Sequence, residues 1–148
     1  MPIPPFNNHG VLPEGIHDCT LEEVGARFGA FQVTDRRPRL WSKLAEFIIA
    51  AKAAEIVQSI LLNGSFVTAK ADPNDIDLIL AVSEEHDFST DLSPREYNVL
   101  SKKRVHRRYG FDLLVARVNS DEYKRYVRLF QQIRFEPERK KGILRMRL

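Results

Sequence analysis

Residues 75–82 (Asp-Ile-Asp-Leu-Ile-Leu-Ala-Val) constrain the fold of this 148-residue chain more than any other segment. Six of these eight residues are aliphatic, none is glycine or proline, and the turn-forming Asp72-Pro73-Asn74 precedes them. Such a run predicts a β-strand that begins at its two acidic residues. A strand of this kind needs a sheet with helices packed on it, so an α+β architecture is the economical one.

The length and composition predict one globular domain. A chain of 148 residues with 43% hydrophobic content can bury a core without metal ions or disulfides. No apolar run approaches the roughly 20 residues that cross a bilayer, and the first residues lack the basic and apolar regions of a secretion signal. The single cysteine, Cys19, cannot form an internal disulfide. We therefore expect a cytoplasmic protein with no membrane span.

The remaining pattern predicts a single α+β domain preceded by an irregular arm. Three prolines and two asparagines among the first ten residues indicate the arm, which we extend over residues 1–19, with the domain at 20–148. Helices are predicted over 20–28, 38–55, 93–109 and from 119 or 120, and strands over 56–62, 75–82 and 111–118, with an edge strand after 142. This order describes a small mixed sheet with packed helices.

Charge is distributed unevenly along the chain. Residues 1–100 contain 8 Lys and Arg against 15 Asp and Glu, whereas residues 101–148 contain 15 against 5. This asymmetry indicates that the C-terminal third faces something anionic, such as nucleotide phosphates, nucleic acid or an acidic protein partner. The alternative is that the basic residues solvate helix faces and balance the acidic part of the chain.

The two acids that begin the predicted strand form a candidate metal site. Because side chains alternate along a strand, Asp75 and Asp77 project from the same face, roughly 7 Å apart, while Ile76 points into the core. Two facing carboxylates repel each other unless a cation lies between them, and their hard oxygen atoms suit Mg²⁺ or Mn²⁺. The alternative is a pair of solvated acids at the start of a strand.

Two further features are predicted at the same end of the sheet. Gly64 and Ser65 follow the preceding strand, where a glycine lets the backbone approach phosphate oxygens and a serine hydroxyl can bind them. Asp112 is the second residue of the third predicted strand and has apolar neighbours. A neighbouring position in the sheet would bring Asp112 to the same edge. The alternative for Gly64 is an ordinary turn glycine.

The pattern of these residues resembles the DNA polymerase beta superfamily of nucleotidyltransferases. It is carried by segments 62–68 and 73–80 and by the later strand around Asp112. The resemblance implies a nucleotidyltransferase-like fold in which Asp75 and Asp77 bind two metal ions. It also implies that Asp112 binds the catalytic metal and helps to activate the attacking hydroxyl, and that Gly64 and Ser65 hold the triphosphate.

The whole chain is also similar to a bacterial family of small nucleotidyltransferase-like proteins, a similarity that implies no particular substrate. The segments that carry it are His9-Gly10, Leu12-Pro13, Gly15-Ile16-His17 and Lys141-Gly142-Ile143.

The loop after Ser65 departs from the superfamily pattern. Minimal nucleotidyltransferases of the antitoxin type have arginines and a glycine after Gly-Ser, whereas this loop continues with Phe-Val-Thr-Ala at residues 66–69. Lys70 is the candidate for the missing cation and would bind the β- and γ-phosphates as a point charge. The alternative is that Lys70 is a solvated loop lysine.

Three functional hypotheses follow from these observations. The first is an ATP-binding or other NTP-binding enzyme that transfers a nucleotide to a hydroxyl acceptor with Mg²⁺, in a toxin–antitoxin or defence setting by analogy. The second is an inactive relative that binds a protein partner as an antitoxin or regulator. The third is nucleic-acid binding through the basic residues 102–147, which would leave the three acids unexplained.

Overall fold

The computed structural model describes residues 3–133 and 135–148, and this part of the chain forms five α-helices and seven β-strands. The helices are α1 (Leu21–Phe28), α2 (Arg36–Ala54), α3 (Pro94–Leu100), α4 (Lys102–Tyr109) and α5 (Asp121–Gln131). The strands are β1 (Gly15–Asp18), β2 (Val57–Asn63), β3 (Asp77–Val82), β4 (Asp112–Arg117), β5 (Gln132–Ile133), β6 (Glu136–Lys140) and β7 (Gly142–Arg147). A short 3₁₀ helix (Ser65–Val67) follows β2.

Five of the strands form one mixed sheet in the order β1-β7-β2-β3-β4. The β1–β7 and β3–β4 pairs are parallel, whereas β2 is antiparallel to both of its neighbours. β5 and β6 form a separate antiparallel hairpin. The protein is therefore a single small α+β domain, as the sequence predicts. None of the helices in the described residues has the length and apolar character needed to cross a membrane.

Helices cover both faces of the sheet. Leu62, Leu78 and Leu80 belong to the main core, which α1, α2 and α4 complete. Leu61 and Ile79, on the opposite face, pack with residues of α5 in a second, smaller core. Because successive side chains alternate between faces, every second residue from Ile79 or Leu61 lies on the α5 face.

Capping residues set several helix ends as the sequence predicts. Thr20 and Glu23 form a reciprocal capping box at α1, and Ser93 and Glu96 form another at α3. The helix predicted over 93–109 is broken, however, because the Ser101 side chain accepts a hydrogen bond from the Arg104 amide at 3.3 Å and begins α4. A serine that caps a helix N-terminus within a longer stretch of helical periodicity ends one helix and starts the next.

Three predictions about the sheet need correction. The strand predicted over 75–82 begins at Asp77, so Asp75 lies just outside it and strand alternation does not place its side chain. The C-terminal segment was expected to be an edge strand, but β7 lies between β1 and β2 in the interior of the sheet. The arm predicted over 1–19 contains β1, which pairs with β7 from Gly15 to Asp18. β1 has only four residues and the β5–β6 hairpin is also short, so neither produces a clear hydrophobic period.

Arg37 connects α2 to the loop that follows β2. Its side chain is only 2% exposed, and its guanidinium donates hydrogen bonds to the main-chain oxygens of Phe28, Phe66, Thr68 and Lys70. A guanidinium presents its donors in a fixed planar arrangement, so it can satisfy several buried carbonyls that no secondary structure pairs. The loop is therefore held against α1 and α2 by one side chain.

We predict that Arg37→Met lowers the free energy of unfolding by roughly 2–4 kcal/mol, because the apolar side chain leaves buried carbonyl groups without donors. Urea denaturation followed by circular dichroism measures this change. Arg39→Met is the matched control, since Arg39 is on the same helix but 72% exposed, and it should change the stability by less than about 0.5 kcal/mol. Equal effects of the two substitutions would contradict this role of Arg37.

Candidate functional site

Three polar residues lie side by side at one end of the sheet. Asn63 on β2 is the register partner of Asp77 on β3, and Asp77 is the register partner of Asp112 on β4. All three lie on the α5 face, because Asp77 is two residues before Ile79 and Asn63 is two residues after Leu61. Adjacent strands are about 4.8 Å apart, so the structure brings the Asp77 and Asp112 carboxylates together at the edge where the sequence places them.

Asp75 lies just before β3 and is bound to the Gly-Ser turn. Its Oδ1 accepts hydrogen bonds from the Ser65 main-chain amide, at 3.0 Å, and from the Ser65 hydroxyl. The Ser65 hydroxyl oxygen in turn accepts hydrogen bonds from the amides of Asn74 (3.0 Å) and Asp75 (3.2 Å). The donors expected to bind phosphate are therefore directed to a carboxylate of the same chain.

Gly64 is required by a close approach of two backbone segments. Its φ of +98° is unfavourable for residues with a side chain. A Cβ atom there would lie 2.8 Å from the Asp75 carbonyl oxygen and 3.2 Å from the Asp77 amide nitrogen. This close approach is enough to require a glycine at position 64 without any bound phosphate. It also positions the turn against the start of β3.

Asp77 is a partly buried carboxyl group among other acids. Partial burial, together with the negative charges of Asp75 and Asp112, raises its pKa from 3.8 to about 6, and Lys141 opposes that rise. Within residues 3–133 and 135–148, no three His, Cys, Asp or Glu side chains converge closely enough to form a metal site by themselves. Asp75, Asp77 and Asp112 thus form a group of negative charges that the positive charge of Lys141 offsets only in part.

Lys141 is a site residue that the motif analysis did not identify. It lies in the turn between β6 and β7 and is half-buried. Burial lowers the pKa of its ammonium group, while the negative charges of Asp77 and Asp75 raise it. The only sequence signal was the Lys-Gly-Ile triplet at 141–143, and the pairing of β7 within the sheet is what brings this lysine to the acids.

His106 is a second residue whose position the sequence did not reveal. Its Nδ1 lies 3.5 Å from Asp112 Oδ1, and the two side chains are 68% and 76% exposed. Gly110, at φ +79°, ends α4 and turns the chain directly into β4. The spacing of six residues across that turn is the signal that could have linked His106 to Asp112.

Lys70 does not join the acids. Its side chain is exposed, and its main-chain oxygen accepts a hydrogen bond from Arg37 while its amide donates to Thr68. No ion pair of the Lys70 ammonium is found among the described residues. The arrangement is that of a solvated loop lysine, and the lysine whose charge acts on Asp77 is Lys141, in the C-terminal segment.

We predict that Asp77→Asn stabilises the protein in metal-free buffer at pH 7.5 by about 1–2 kcal/mol. A carboxyl whose pKa is raised in the folded state binds its proton more tightly there than in the unfolded chain, so its destabilising effect grows from about pH 4 and levels off above about pH 7. The gain should therefore be small at pH 4 and full at pH 7.5.

Urea unfolding at both pH values, with EDTA present, measures the Asp77→Asn effect. Asp91→Asn, in an exposed loop, is the control and should leave the pH dependence unchanged. A pH-independent effect of Asp77→Asn, or a loss of stability at pH 7.5, would contradict the electrostatic explanation.

Comparison with known proteins gives a family but no activity. Residues 4–147 match the model of a family of unknown function, DUF6932. Neither the search of curated proteins nor the search of solved structures found a significant match. Because the matched segment spans nearly the whole chain, the protein belongs to the DUF6932 family.

Proposed function

We propose that this protein is a nucleotidyltransferase with a nucleotidyltransferase-like fold, which transfers a nucleotide from an NTP to a hydroxyl acceptor. The observation that carries the proposal is the parallel register of β3 and β4, in which Asp77 and Asp112 are direct partners. Asp75 and the Gly64-Ser65 turn lie beside them. The Gly-Ser turn, Asp75 before β3, Asp77 on β3 and Asp112 on β4 are the residues that the superfamily resemblance would use, and their shared position supports the proposal.

The donor set suits Mg²⁺ or Mn²⁺ that arrives with a nucleotide. Mg²⁺ is commonly held by one or two carboxylates together with substrate phosphates and water, so three converging protein side chains are not required. Asp77 and Asp112 would supply the carboxylates, and Asp75 would contribute its second oxygen. The raised pKa of Asp77 supports this assignment, because burial and the neighbouring carboxylates both disfavour its charged form, which a bound cation would stabilise.

The chemistry would be an in-line displacement at the α-phosphorus. The acceptor hydroxyl oxygen forms a bond to the α-phosphorus, the bond from that phosphorus to the β-phosphate bridging oxygen breaks, and pyrophosphate leaves. A metal held by Asp77 and Asp112 would supply positive charge to the phosphates. Asp112 would take the proton of the attacking hydroxyl, since it is the more exposed acid and can be reached by an acceptor.

Acceptor choice would depend on a partner. The described helices are short or belong to the core, so no separate helical domain surrounds the acids. A toxin–antitoxin or defence setting, in which a partner protein provides the acceptor hydroxyl, remains an expectation from fold-level analogy.

Label transfer tests the proposed activity. The purified protein is incubated with the four NTPs labelled at the α-phosphate, Mg²⁺ and cell extract, beside Asp77→Asn and Asp112→Asn variants. We expect transfer to fall by at least about 100-fold in both variants and to be abolished by EDTA. The exposed-loop variant Asp91→Asn should retain activity. Transfer that persists in Asp77→Asn would exclude these acids as the catalytic group.

One observation favours a second candidate, an inactive relative that binds a protein partner. The Ser65 amide and hydroxyl both donate to Asp75, so the turn that would bind phosphate is already satisfied internally. Under this hypothesis the wild-type protein transfers no label to any acceptor. It either binds nucleotide in the presence of Mg²⁺ without reacting or binds no nucleotide at all. The same experiment therefore separates the two candidates.

A further inference from the structure

A buried polar atom lies next to the acids without a partner. Asn63 is only 8% exposed, and its Oδ1 has no hydrogen bond within the described part of the chain. Leaving a buried acceptor unpaired is unfavourable, and such atoms are uncommon in folded proteins. Its position beside Asp77, on the same face of the sheet, indicates that a ligand or its water shell completes the hydrogen bonding.

Lys141 lies at the same end of the sheet, directly before β7. β2 and β7 are antiparallel with Leu62 opposite Leu144, so the start of β7 lies beside the end of β2 and the Gly64-Ser65 turn that follows it. Ile143 packs in the smaller core on the α5 face, and Lys141 precedes it by two residues. The negative charges of Asp77 and Asp75 act on the Lys141 ammonium group. A cation therefore lies with Asn63 and the acids at this end of the sheet.

The backbone around Lys141 is fixed. The Lys141 amide donates to the Gln131 oxygen at 2.8 Å, at the end of α5, and the Gly142 amide donates to the Leu12 oxygen at 2.9 Å. A Cβ atom at Gly142 would lie 2.0 Å from the Pro13 oxygen, so only glycine permits this close approach. These contacts hold Lys141 half-buried, whereas the adjacent Lys140 is exposed.

We propose that Lys141 and Asn63 form the phosphate-binding side of the site, with Lys141 binding the β- and γ-phosphates of an NTP. Asn63 Oδ1 accepts a hydrogen bond from the water shell of the accompanying Mg²⁺. This inference rests on the proposed function and deepens it, because it identifies the cation that the loop after Ser65 lacks. A lysine can bind terminal phosphates as a point charge without a fixed bidentate geometry.

Competition binding tests the role of Lys141. Displacement of a fluorescent ATP analogue by unlabelled ATP, inorganic tripolyphosphate or AMP, with Mg²⁺ present, is measured for wild type and variants. Lys141→Gln should weaken ATP and tripolyphosphate binding about tenfold or more, change AMP binding less than about twofold, and be partly rescued by Lys141→Arg. Lys140→Gln and Lys70→Gln are matched controls and should stay within about twofold of wild type.

Asn63→Ser tests the second residue. Its shorter side chain should reduce the ratio of ATP affinity in Mg²⁺ to ATP affinity in EDTA, while AMP binding in EDTA is unchanged. A thermal melt of each variant confirms folding. An unchanged ratio in folded Asn63→Ser would overturn the part of the inference that concerns Asn63.

The outcomes distinguish this inference from the function on which it rests. If wild-type protein binds neither ATP nor tripolyphosphate, the proposed function fails together with the inference. If wild type binds both and Lys141→Gln binds them equally well, the inference is overturned while the function stands. If Lys141 is only a counter-ion for the acids, Lys141→Gln will lower the melting temperature and weaken ATP and AMP binding to the same extent, and adding Asp77→Asn will restore the melting temperature. That pattern would also overturn the inference.

Discussion

The parallel pairing of β3 and β4 is the constraint on which the site depends. Four apolar register pairs follow Asp77–Asp112, and every residue in them is buried or half-buried: Leu78–Leu113, Ile79–Leu114, Leu80–Val115 and Ala81–Ala116. Each fully buried Leu or Ile stabilises the fold by about 1.5–3 kcal/mol, whereas two carboxylates about 5 Å apart repel by roughly 3 kcal/mol near a protein surface. A shift of one residue would also reverse the faces of the strand. The core therefore fixes two like charges side by side.

Two side chains from distant segments lie near these acids. Lys141, directly before β7, is in the field of Asp77 and Asp75, and the His106 side chain contacts Asp112 from α4. The pKa of Asp77 is nevertheless raised, first by burial and then by the charges of Asp75 and Asp112. A charged carboxylate in such surroundings lowers stability and is typical of sites in which a ligand completes the charge balance.

The sequence predicts the strands and the acids better than the contacts between them. Strand phasing identified Asp77 and Asp112, because period-2 alternation and apolar neighbours are local properties. The hydrogen bonds from Ser65 to Asp75 were missed, because they depend on how the 65–75 loop closes, and no local pattern encodes that closure. The burial of Arg37 was not predicted, since it arises only when the loop packs against α2.

The position of Lys141 could not be predicted either, because it depends on contacts between segments that are far apart in the sequence. Its position near Asp77 follows from the pairing of β7 with β2, and the sequence analysis had placed that segment at the edge of the sheet. An interior β7 brings the C-terminal residues beside the Gly64-Ser65 turn, whereas an edge strand would leave them far from it. The error in strand order and the missed cation therefore have one cause.

The internal ion pairs also change how the charge asymmetry is interpreted. Arg145 binds Asp18 through two hydrogen bonds of 2.7 and 3.0 Å, and Lys141 lies in the field of the acids, so C-terminal cations compensate acids from earlier in the chain. Part of the segregation is therefore a consequence of placing β7 in the middle of the sheet. The exposed cations of α4, such as Lys103 and Arg107, are on the helix whose His106 contacts Asp112. An anionic acceptor that approaches Asp112 would consequently meet the exposed cations of α4.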